Sequence, residues 1–142
     1  MENILYPAIF DQQPESHGGG YCVRFVDIPE AITEGDSLEE ALFNASEALS
    51  GILSFRVRHG QSIPDASQNV VGAHYVAPDV KTQAALLVRS ARGDKSLSEL
   101  ARALQTSWPA AQRLEDPSHW PSLKTLDRVA SALGKKLVLS ME

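Results

Sequence analysis

Apolar and polar side chains alternate along 21–26, where Tyr21, Val23 and Phe25 are interleaved with Cys22, Arg24 and Val26. A period of two marks a strand. A second β-prone run, Ile4–Phe10, precedes it across a polar stretch that ends in Gly18-Gly19-Gly20. The two read as a hairpin with a long loop. Pro7 lacks an N–H, which places the first strand at an edge or gives it an irregular start. Asp27-Ile28-Pro29-Glu30 breaks the second strand, and Ala31–Glu34 forms a short third one before Gly35.

The period then changes. Leu38, Ala41, Leu42, Ala45, Ala48, Leu49, Ile52 and Leu53 follow helical spacing. Ser37 and Glu40 have the spacing of a capping box, and Gly60 ends the helix. Val70–Val76, between Pro64 and Pro78, is one more β-prone stretch. The order is βββαβ, with one helix on one face of a small sheet.

Past Pro78-Asp79 the pattern is helical throughout. Lys81–Arg92 carries Ala84, Ala85, Leu87, Val88 and Ala91 on adjoining faces and stops at Gly93-Asp94. Ser96-Leu97-Ser98-Glu99 is a second capping box, opening a short helix with Leu97, Leu100, Ala101 and Leu104 as its apolar stripe. Gln105-Thr106-Ser107 makes a three-residue turn. Ser107 caps a helix from Trp108 to about Glu115, with Pro109 in its first turn, where a missing N–H is harmless. Ala111 and Leu114 face inward, whereas Trp108, Gln112 and Arg113 face outward. Ser122 caps a last helix with Leu123, Leu126, Val129, Ala130 and Leu133 inside and Gly134 at its end. Two short helices joined by such a turn present the second to a DNA major groove. The same spacing also suits a small helical bundle without DNA. The fold class is α+β: residues 1–78 form the βββαβ domain and residues 79–142 an all-α domain.

Charge sharpens this division. The 142 residues carry a net −5, yet residues 1–80 hold 3 Lys/Arg against 12 Asp/Glu, and residues 81–142 hold 10 against 6. The acidic half suits a basic partner and the basic half suits phosphates. A single cysteine, Cys22, excludes a disulfide framework and a thiolate metal cluster. Its neighbours hold no His or Lys to activate it, so it fills a strand. His17, His59 and His74 lack ligand spacing. There is no Ser-His-Asp pattern, and Gly18-Gly19-Gly20 precedes a strand instead of a helix, unlike a phosphate loop. No secretory or membrane-spanning segment is evident, which points to the cytoplasm.

The stretch Gly20–Ser37, with its Gly-Tyr strand, Asp27-Ile28-Pro29 turn and Thr33-Glu34-Gly35-Asp36 turn, followed by Glu39-Glu40-Ala41-Leu42-Phe43-Asn44-Ala45, resembles the HicB antitoxin family. The likeness covers roughly residues 3–78. It implies a partial RNase H-like fold that usually lacks nuclease activity. It also implies a partner, HicA, a small basic mRNA-cleaving toxin with a catalytic His, which the antitoxin masks. Asp27, Glu30, Glu34 and Asp36 are the toxin-facing candidates.

The stretches Leu97–Leu104, Ala111–Glu115, Pro121–Leu126 and Ala132-Leu133-Gly134 look like an XRE/Cro-type helix-turn-helix, as some HicB proteins carry to repress their own operon. Ser107, Trp108, Gln112 and Arg113 then face the groove, where Arg pairs with G and Gln with A. Ser96, Thr106 and Lys124 are phosphate contacts. The turn departs from the family pattern, since Gln105 stands where Gly is usual. Strain there, or a slightly different turn, is the expectation. Such repressors bind as dimers, so a homo-oligomer, at least a dimer, is expected on double-stranded operator DNA.

Other functions remain open on sequence alone. A metal-dependent nuclease needs several carboxylates converging on Mg²⁺; Asp11, Asp27, Glu34, Asp36 and Glu47 are available, but spacing does not bring them together, and a solvated or partner-contacting face suits them better. A stand-alone regulator with a ligand-sensing first half and a C-terminal bundle that only dimerises are the remaining alternatives. No cofactor, metal or catalytic residue is assigned.

Overall fold

A computed structural model describes residues 4–142. The chain divides into two compact units, one running to Asp79 and the other starting at Val80. Together the described residues give a four-stranded antiparallel sheet and five α-helices, a mixed α+β protein.

In the first unit β1 (Tyr6–Gln12), β2 (Tyr21–Phe25), β3 (Ile32–Gly35) and β4 (His74–Val76) are arranged in the order β3-β2-β1-β4. The hairpin register sets Ala8 opposite Phe25 and Gln12 opposite Tyr21. β1 is therefore central, contrary to the edge position that Pro7 suggests. Its backbone explains the difference. The β1–β2 ladder ends at Ala8, and Pro7 O accepts the Val26 N–H at 3.0 Å. Amide nitrogen and carbonyl of one strand residue point to the same side. The missing donor of Pro7 thus faces Val26 at the end of β2, so only the last, reciprocal bond of the β1–β2 ladder is lost and the pairing with β4 on the other side is kept.

Helix α1 (Leu38–Arg58) begins where Ser37 Oγ accepts the Glu40 N–H at 3.1 Å. Tyr6, Ala8, Val23 and Phe25 from one face of the sheet are buried, as are Ala41, Ala45, Leu49 and Leu53 on α1. Leu38 and Leu42, read as part of this stripe, lie at its margin and are exposed. The β-prone run 70–76 forms a strand only from His74. Asn69 and Gly72 take positive φ values of 57° and 79°, so Val70 and Val71 belong to a turn.

The second unit contains α2 (Val80–Arg92), α3 (Leu97–Ala103), α4 (Trp108–Arg113) and α5 (Leu123–Ala132). Its core gathers Val88, Leu100, Ala101, Leu104, Ala111, Leu114 and Val129, with Leu97, Leu126 and Leu133 packed against them. Two positions differ from the periodic reading: Leu86 is buried while Leu87 is exposed, and Leu123 points to solvent. Residue 123 is the first of its helix, where solvent replaces neighbours.

Candidate partner and nucleic-acid interfaces

The four acidic candidates of the first unit divide into two pairs. Asp27 accepts the Ser67 N–H at 2.8 Å and the Ser67 hydroxyl, pinning the loop before β4 to the end of β2. Glu30 takes both its oxygens to Arg56 Nη2, at 2.7 and 2.8 Å. That hydrogen bond, aided by a backbone one, holds the Glu30 carboxyl below the usual glutamate range. Arg56 also donates to Ser62 O at 3.2 Å, so Glu30 fastens the C-terminal turn of α1. These two carboxylates are spent inside the unit.

Glu34 and Asp36 are different. Both are exposed, at the sheet edge and in the turn before α1. They border an open cleft of about 270 Å³ shared with His17, Tyr21 and Cys22. The Glu34 main chain is fixed from behind, where its carbonyl accepts Asn44 Nδ2 at 2.8 Å. On β3 and the first turns of α1, Ile32 is 68% and Phe43 66% exposed, with Leu38 and Leu42 also open to solvent. Here the first unit offers apolar side chains beside unengaged carboxylates.

In the second unit, α3 and α4 are joined through Leu104–Ser107. The Thr106 N–H reaches Ala101 O at 2.9 Å and the Gln105 N–H reaches Arg102 O at 3.1 Å. This closing pattern demands a left-handed residue at its centre, and Gln105 supplies it with φ 55°. Arg128 Nη2 donates to Leu104 O at 3.1 Å, tying α5 to the same turn.

Ser107 Oγ caps α4 by accepting the Ala110 N–H at 3.2 Å. Ala111 and Leu114 enter the core, which leaves Trp108, Gln112 and Arg113 exposed on the outer side of α4. Thr106 and Lys124 are exposed too. Ser96 is held in a two-way capping box with Glu99, so its N–H and hydroxyl serve α3 first. The sequence reading missed a clamp at the end of α4. Arg92 Nε and Nη2 meet Glu115 at 2.6 and 3.0 Å, and Arg92 Nη1 donates to Lys95 O at 2.6 Å. The Glu115 hydrogen bond raises the Arg92 pKa, against the effect of burial. Paired Arg and Glu 23 residues apart carry no periodic signal in a sequence.

Among the described residues no helix is long and apolar enough to cross a membrane.

Comparison with known proteins supplies the family. Residues 5–85 match the model of the HicB-like antitoxin of bacterial toxin–antitoxin systems. Antitoxin HicB 1 of Photorhabdus laumondii subsp. laumondii is 35% identical over 100% of this chain and 90% of its own length. Antitoxin HicB of Escherichia coli K12 is 32% identical over 97% of this chain and 99% of its own. Antitoxin HicB of Pseudomonas fluorescens is 32% identical over 87% of each. Likeness of this extent, running through both units, makes the chain a member of the HicB antitoxin family.

Proposed function

We propose that this protein is the antitoxin of a HicA/HicB-like toxin–antitoxin system, a non-enzymatic binding protein that neutralises an mRNA-cleaving toxin and represses its own operon. The observation that carries the reading is the family match, which embraces the first unit and extends, in the named HicB relatives, over nearly the whole chain. The first unit covers the basic surface of the toxin and its catalytic His. Glu34 and Asp36, unengaged and next to exposed Ile32, Leu38 and Phe43, are the acidic contacts. Asp27 and Glu30, the other two acidic candidates, are engaged with Ser67 and Arg56. The second unit acts as a helix-turn-helix, with α4 in the major groove. Ser107, Trp108, Gln112 and Arg113 face the groove, and Ser96, Thr106 and Lys124 face phosphates. A dimer reads two half-sites.

The test is co-expression of the chain with its neighbouring gene, followed by native mass spectrometry and a growth assay. A small basic protein should co-purify, and growth should be restored. Replacing both Glu34 and Asp36 by Lys should abolish rescue while leaving the thermal midpoint within a few degrees. Recovery of the chain alone, or rescue by the doubly substituted chain, refutes the assigned contact surface. Attraction between the acidic unit and a basic toxin also speeds encounter, so association should slow steeply with added salt.

A further inference from the structure

One side of α1 packs on the sheet, and the opposite side of such a helix is expected to be polar. In α1 it is not. Phe43 is 66% and Phe55 50% exposed, and between them Gly51 lies open to solvent in the middle of the helix. Within a helix glycine is the poorest residue after proline. A Cβ built at Gly51 meets nothing within 4 Å, and its backbone is helical, so neither packing nor a turn within the fold calls for glycine there. Phe55 is not a loose side chain. Its ring stacks on His59 with centroids 4.0 Å apart, and His59 Nδ1 lies 2.9 Å from Phe55 O. An aromatic ring is thus held in place on the surface.

Phe43, Glu47, Gly51 and Phe55 recur every four residues. On an α-helix such a row is a ridge of the kind that packs into the groove of a second helix. Its two aromatic ends lie about 18 Å apart along the axis. At Gly51 the ridge has a notch, where a crossing backbone comes closer than any side chain would let it. Charge and position indicate what crosses there. Glu40, one turn before Phe43, and Glu47 on the ridge itself are exposed carboxylates, which calls for a crossing element with lysine or arginine on its flank. Phe43 also borders the surface of Ile32, Glu34 and Asp36 assigned to a basic toxin. The ridge is continuous with that contact.

We propose that the outward ridge of α1, from Phe43 to Phe55, takes an amphipathic helix of the basic partner, which crosses α1 at Gly51 with its apolar side chains between the two phenylalanines and its cations against Glu40 and Glu47. The partner is the toxin of the antitoxin reading, on which this assignment rests. The face of α1 and the notch at Gly51 are what it adds.

The probe is the small basic protein of the neighbouring gene, separated from the co-expressed complex in denaturant, refolded, and titrated with the full-length chain by calorimetry. Gly51→Ala should raise the thermal midpoint of the free chain by a few degrees, since alanine is the better helix former and has room. The same change fills the notch and should weaken binding about tenfold. Opposite movement of stability and affinity separates a contact from a merely structural role. Phe55→Ala should also weaken binding about tenfold, and the loss in Glu47→Lys should shrink with added salt. Val71→Ala, 94% exposed and away from α1, should bind as wild type. Wild-type affinity in Gly51→Ala and Phe55→Ala, with the Glu34 and Asp36 double replacement still abolishing binding, overturns the ridge and leaves the antitoxin reading standing. A loss at Val71→Ala equal to that at Phe55→Ala overturns the ridge as well. A neighbouring-gene protein that does not bind the wild-type chain overturns both.

Discussion

At Gln105 a side chain stands where two comparable helix ends of this protein place glycine. Three helix ends close with the same pair of hydrogen bonds, and the left-handed position is Gly60 (φ 65°), Gly134 (φ 69°) and Gln105 (φ 55°). A Cβ in that region costs roughly 1–2 kcal/mol, partly offset because glycine loses more entropy on folding. Gln105→Gly should therefore stabilise the second unit by about 0.5 kcal/mol, a rise of a few degrees in Tm by calorimetry. A fall would show that the Gln105 side chain makes a compensating contact. The sequence exposed this site because one residue broke a familiar turn pattern. Tyr6 had no such signal. Its hydroxyl donates to Pro64 O at 2.7 Å, and burial, with the Asp65 and Asp27 charges behind it, pushes its pKa up to about 12. The folded state holds the proton that the unfolded chain releases near pH 10. The associated stability is intact below about pH 10 and is lost as pH rises toward 12, on the order of 2–3 kcal/mol. Denaturant titrations should show wild type losing stability relative to Tyr6→Phe over that interval, and parallel curves would refute the assignment.

Elements were legible where local rules govern them. Capping serines 37, 96, 107 and 122 each accept the N–H three residues on, as the spacing implies. Alternation in 21–25 locates β2. What the pattern could not show depends on side-chain contacts that have no period along the chain. The turn at 69–72 delays the strand of a β-prone run to His74, where Tyr75 Oη, which donates to Ser67 O at 2.8 Å, receives the Val70 N–H at 3.1 Å. The Asp27–Ser67 and Arg92–Glu115 bonds likewise join positions with no common period. Closest of all is the approach of β3 to α1. A Cβ on Gly35 would lie 2.4 Å from Ala41 N and 2.7 Å from Ala41 Cα. Both are helix backbone, so α1 itself must shift. Gly35→Ala should cost about 2–3 kcal/mol, in the range of overpacked cores. A lowered midpoint in urea with an unchanged slope would identify a strained but intact fold. Wild-type stability would mean that α1 moves off the sheet freely. Glu34 and Asp36, the proposed toxin contacts, flank this glycine, so the same variant should also weaken toxin binding.

For the molecule as a whole, the net −5 conceals an uneven distribution, since residues 81–142 carry an excess of 4 positive charges. A DNA-binding head, as proposed for the second unit, gains sequence-independent affinity by releasing counterions from phosphates, and sequence preference from groups that touch bases. The candidates on and beside α4 separate these two contributions. Lys124 is charged and assigned to phosphate; Gln112 is neutral and assigned to a base edge. In the proposed two-fold complex each substitution acts twice. Lys124→Ala should weaken binding to all sequences alike and flatten the slope of log K against log salt by roughly 2, near 0.9 for each phosphate no longer neutralised. Gln112→Ala should leave that slope unchanged and remove about 1–3 kcal/mol of preference per base pair read for operator over scrambled DNA. Fluorescence anisotropy at several salt concentrations measures both quantities.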